Sequence, residues 1–198
     1  MNSQDTNLLD YVGKAKLRQV VIVQCDASGI EHDCQLDSKV LSRYGKEMNQ
    51  RLLEFISPLM GWNLGDEVYV ISAHGSVNYK TAIMVEEYFY KKLFVRLRTS
   101  DKLVQDKQSA YRKVVKLVKD YMPKTEILVL VADHGFWFEF LTQTSLVSFG
   151  PNDNITDGKA TAVCLDIKVF DGKIVVDNSK VLKATIELTP PNPPITVR

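Results

Sequence analysis

Residues 20–29 read VVIVQCDASG: four branched aliphatic residues, Val20 to Val23, run without interruption into the polar triplet Gln24-Cys25-Asp26. A continuous apolar run of this length is too short for a helix. It fits a strand covered on both faces, as in a parallel sheet with helices above and below. Two other segments have the same character, and together they give strands at 19–24, 67–72 and 126–132, from QVVIVQ, EVYVIS and EILVLVA. LFVRL at 93–97 adds a further short strand.

The segments between these runs carry the helical period. Leu41, Tyr44, Met48, Leu52 and Phe55 step by three and four, which predicts a helix capped by Ser38 or Ser42. Val77, Thr81, Met84, Val85, Tyr88 and Phe89 repeat the pattern. Tyr111, Val114, Val115, Val118 and Tyr121 form a third stripe, ended by Pro123. After residue 150 the period becomes two: Val163, Leu165, Ile167 and Val169 alternate with Cys164, Asp166 and Lys168, and Asp171-Gly172 offers a hairpin turn into KIVVD. The fold class is therefore α/β, a three-layer sandwich with a mainly parallel central sheet, helices on both faces and an antiparallel C-terminal edge. Its expected limits are an N-terminal extension over 1–18, one domain over 19–188 and a Pro-rich tail over 189–198.

With 198 residues, 45% hydrophobic and 25% charged, the chain has the composition of one globular domain, and its formal net charge of +1 supplies no general attraction to nucleic acid or an anionic membrane. The densest basic cluster, Lys91, Lys92, Arg96 and Arg98, is expected to be a solvated face. The N-terminus has no apolar signal core and no run approaches a membrane span, so the expectation is a cytoplasmic protein. Cys25, Cys34 and Cys164 are odd in number and lack CxxC spacing, which favours free thiols over a disulfide or zinc framework.

In layout, residues 18–180 resemble the histidine phosphatase (phosphoglycerate mutase-like) superfamily. The family's first strand ends in Arg-His-Gly and leads to a Leu-Thr-x-x-Gly helix opening, to which Leu41-Ser42-Arg43-Tyr44-Gly45 is similar. A second strand ends in serine before Arg-Ala-x-x-Thr-Ala; here Ser72 is followed by Val77-Asn78-Tyr79-Lys80-Thr81-Ala82. A later strand ends in a Ser-His-Gly-type motif, similar to Asp133-His134-Gly135, and Gly158-Lys159-Ala160-Thr161-Ala162-Val163 echoes a final family stretch.

The resemblance implies a phosphoryl-transfer pocket: a histidine nucleophile, two arginines and a second histidine around the phosphoryl oxygens, and a carboxylic acid for the leaving group. At the matching positions stand Gln24 for the first arginine, Cys25 for the nucleophile, Asp26 for the glycine and Val77 for the second arginine, while His134 alone retains the family residue. Lys80 is the nearest rescue cation, and Asp101 or Gln105 stands nearest to the acid. Cys25 has acidic neighbours in Asp26 and Glu31, which oppose both a thiolate and a phosphate dianion.

The expectation is thus a catalytically degenerate histidine-phosphatase-like protein without a cofactor, retained to bind a small anionic ligand or a protein partner. Two alternatives stay open. One is an active, atypical phosphatase or phosphomutase that uses His134. The other is a metal-dependent hydrolase, because His32, His74 and His134 each follow a predicted strand and the Ala132-Asp133-His134-Gly135 string is similar to a metal-binding motif of alkaline-phosphatase-type enzymes. The aromatic group Phe136, Trp137, Phe138 and Phe140 is expected to fill or cover the pocket rather than form a partner patch, with Trp62 as a core anchor.

Overall fold

In the computed structural model the residues described are 16–24, 30–33, 38–41, 43–90, 93–104, 109–144, 160–170, 173–176 and 182–186. The opening run forms β1 (Gln19–Gln24), buried at every position. Beside it lies β6 (Ile127–Val131), then β4 (Glu67–Ser72) and β5 (Phe94–Thr99), all parallel. On the other side β1 pairs antiparallel with β7 (Ala160–Phe170), which also carries β8 (Lys173–Val176) and β9 (Leu182–Ile186). Phe170 faces Lys173 across β7 and β8, so the hairpin predicted around Asp171-Gly172 is present, although those two residues lie outside the described ones.

Alternation along each central strand decides the layers. Val21 and Val23 of β1 join the core beneath α1 (Arg43–Ile56) and α2 (Ser76–Tyr90), with Met48, Leu52, Val85 and Phe89. Val20 and Ile22 point the other way, into a second core closed by α3 (Ala110–Tyr121) and α4 (His134–Thr144), through Val114, Leu117, Phe136, Trp137 and Phe140. The chain builds outward from β1 to β4 and β5 with helices on one face, then returns to β6 with its next helices on the other. In open α/β sheets a reversal of this kind marks the carboxyl ends of the strands as the place where ligands bind. Among the described residues no helix is long and apolar enough to cross a membrane.

Three sequence expectations need correction. Ser38 is not a helix cap: Ser38–Leu41 is β3, paired antiparallel with β2 (Ile30–Asp33), and α1 begins only at Arg43. Ser42 lies outside the described residues. Within α1, Met48 and Leu52 of the expected stripe are buried, but its last member, Phe55, is 53% exposed and Leu53 and Ile56 are buried instead. On α3, Tyr111 is exposed and Leu117 takes the buried place.

Cys164 lies buried in β7, paired with Val21. Burial, and then the Asp166 carboxylate, push its thiol from the ordinary 9.0 up to about 12. The folded chain keeps a proton that the unfolded chain loses above pH 9, so this group's contribution to stability is complete below 9 and falls as pH rises toward 12. In a Cys25→Ser/Cys34→Ser variant, the remaining thiol should therefore react with Ellman's reagent only after denaturant is added.

Candidate functional site

Three strand ends and two helix starts meet at the carboxyl edge. The ladder continues just past the strands: Ala73 N–H donates to the Val131 carbonyl at 2.8 Å, and Ala132 N–H to the Val23 carbonyl at 3.4 Å. Two side chains then fix the helices. Trp137 Nε1 donates to the Val23 carbonyl at 3.1 Å, tying the first turn of α4 to the end of β1. Asn78 Nδ2 donates to Asp133 Oδ1 at 3.0 Å, tying the first turn of α2 to the β6–α4 corner. The turn into α2 uses Gly75 at φ 126°, a conformation that a side chain would strain, and Tyr79 N–H donates back to the Gly75 carbonyl at 3.0 Å.

Gln24 ends β1 and is 2% exposed; Val77, in the first turn of α2, is 9% exposed. Both positions that the sequence resemblance matches to arginine thus hold buried, uncharged side chains. His134 opens α4, directly after Asp133. The first N–H groups of that helix have no partner within it, and the bond from Trp137 N–H to the Asp133 carbonyl, 3.2 Å, starts its ladder. Thr81 and Ala82, which match the family motif, are fully buried one turn below Val77. Thr161, from the final motif stretch, sits opposite Gln24 across β1 and β7.

Other predicted residues fall elsewhere. Lys80 is exposed and lines a groove of about 330 Å³ between α1 and α2, with Lys46, Ile83, Met84 and Glu87. Asp101 is solvent-facing, and its Oδ1 lies 2.9 Å from His74 Nε2. Cys25, Asp26 and Gln105 are outside the described residues. For the metal alternative, His32 belongs to β2, paired with Lys39, rather than to a loop after β1. His74 is engaged by Asp101 and Asp133 by Asn78. Among the described residues no three His, Cys, Asp or Glu side chains gather as a metal-binding group.

Two residues that hold the edge together, Asn78 and Trp137, are not among the expected site residues. Asn78 stands where the family motif has alanine, and that departure was its available signal. Trp137 was seen only as part of an aromatic group, yet a buried indole N–H demands an acceptor, and the end of β1 supplies it. Phe136, Trp137 and Phe140 are all buried, while Trp62 is half-buried with its Nε1 donating to the Ser57 carbonyl at 2.8 Å.

No protein-family model matches the sequence, and no curated protein matches it. Solved structures do match the fold. A protein assigned as the phosphohistidine phosphatase SixA from Agrobacterium tumefaciens superposes with a TM-score of 0.54 at 11% identity, covering 89% of this chain and 99% of its own. A second protein so assigned, from Nakamurella multipartitia, gives 0.53 at 13% identity, covering 89% and 97%. With its parallel strands, its antiparallel edge and its helices on both faces, the chain has the histidine-phosphatase-like, or phosphoglycerate mutase-like, fold.

Proposed function

We propose that this protein is a catalytically degenerate histidine-phosphatase-like protein, which binds a small ligand or a protein partner at the carboxyl edge of its sheet without turning over a phosphate ester. The observation that carries this reading is the charge of the edge. Gln24 and Val77 replace the family's cationic forks, and Asn78 fixes a carboxylate, Asp133, at the same corner. A phosphoryl group needs clustered donors and positive charge as it transfers. Here its approach meets a negative group instead.

Calorimetry with inorganic phosphate tests the reading. The protein should show no binding at or tighter than about 1 mM, a loose association of only about 4 kcal/mol. Asp133→Asn keeps an acceptor for Asn78 but removes the charge, and should strengthen phosphate binding by about fivefold, the effect of one nearby charge in a solvated site. Tight binding by the unmodified protein, or no change in Asp133→Asn, would count against the proposed charge balance.

A further inference from the structure

Among the described residues the outer strand of the sheet has an edge that no other strand covers and that the site does not use. Among the described strands β5 bonds to β4 alone. Phe94 N–H donates to the Asp66 carbonyl at 3.2 Å, and Ser100 N–H to the Ser72 carbonyl at 2.9 Å. In a parallel ladder alternate residues bond to the same side, so Arg96 and Arg98, in step with those two, bond inward as well. The N–H and C=O groups of Val95, Leu97 and Thr99 consequently point away from the sheet.

The two faces of that edge differ chemically. Val95 and Leu97 are half-buried on the α1–α2 side. Phe94, Arg96 and Arg98 lie exposed on the opposite face, Phe94 at 68%. The Arg96 guanidinium sits 5.7 Å from the Tyr69 ring centre, and Tyr69 meets Tyr121 at 5.1 Å. Burial, then Tyr69, raise the Tyr121 pKa, while Arg98 and Lys102 pull it down. Glu67 accepts from Arg96 at 3.1 Å and Asp120 from Lys102 at 2.7 Å. Arg98 has no carboxylate partner among the described residues.

We propose that β5 is a docking edge for an extended segment of a partner protein in which acidic and apolar residues alternate. The segment adds as the next strand, its backbone pairing with Val95, Leu97 and Thr99. Its carboxylates lie beside Arg96 and Arg98, and its apolar residues lie beside Val95 and Leu97. A second copy of this chain does not fit: antiparallel self-pairing about Leu97 sets Arg96 opposite Arg98, and like charges so placed repel. The arginines that protect the edge against its own kind admit an acidic strand.

The probe is a fluorescein-labelled peptide of alternating valine and glutamate, flanked by Gly-Ser, titrated with the full chain and followed by anisotropy. It should bind about tenfold more tightly than an isomer with its three valines and three glutamates in separate blocks, because only the alternating order matches both faces. Arg96→Glu/Arg98→Glu should weaken binding by about tenfold or more. Thr99→Pro removes an outward N–H and no bond to β4, and should weaken it too. In the unmodified chain, amide exchange at Val95, Leu97 and Thr99 should slow when peptide is added, a readout that does not depend on any variant folding. Equal binding of the two isomers, or unchanged exchange at those three amides, overturns the proposal. So does a dimer in sedimentation that Thr99→Pro dissociates, since it would make a second copy the occupant.

Discussion

Trp137→Ala is expected to lower the unfolding free energy by about 3–5 kcal/mol, read as a fall in the urea midpoint. The side chain is 1% exposed and meets two rings edge-on, Phe136 at 5.0 Å and Phe140 at 5.9 Å. Truncation would therefore empty a large space in the core between the sheet, α3 and α4. It would also leave the Val23 carbonyl without the indole donor. Trp137→Phe separates the two contributions: it retains most of the apolar bulk and loses the donor, with an expected cost of about 1–3 kcal/mol. A loss below about 1 kcal/mol for Trp137→Ala would mean that α4 is not anchored to β1 as described.

How much of this was legible depends on the kind of signal each element carries. β1 and β4 were read to the residue because QVVIVQ and EVYVIS are short, β-branched and bounded by polar residues. The β2–β3 hairpin was not, because IEHD and SKVL carry neither an apolar run nor a clear alternation. Missing it assigned Leu41 to a helix, and the expected stripe, correct at Met48 and Leu52, ended on the exposed Phe55 and left out Leu53 and Ile56. At the site, family motifs located Gln24, Val77 and His134 at strand ends and helix starts, since those positions follow from chain order. The bonds from Asn78 to Asp133 and from Trp137 to Val23 join residues 55 and 114 positions apart, and no local pattern encodes such pairs.

The second large effect concerns catalysis. A preorganised donor aimed at developing charge contributes about 3–4 kcal/mol to a transition state. On the proposed reading, Gln24 and Val77 at the two arginine positions forfeit about 6–8 kcal/mol, a factor of about 10⁴ to 10⁶ in rate. On the same reading Cys25, at the nucleophile position, adds to the deficit. Lys80 is exposed along the groove between α1 and α2. The expected phosphomonoesterase activity is at the level of the buffer.

The most direct measurement is hydrolysis of p-nitrophenyl phosphate by the purified chain, run beside His134→Ala under identical conditions. The account predicts that both proteins match the uncatalysed rate. Turnover well above that rate, abolished by His134→Ala, would contradict it and show that the edge still performs phosphoryl transfer.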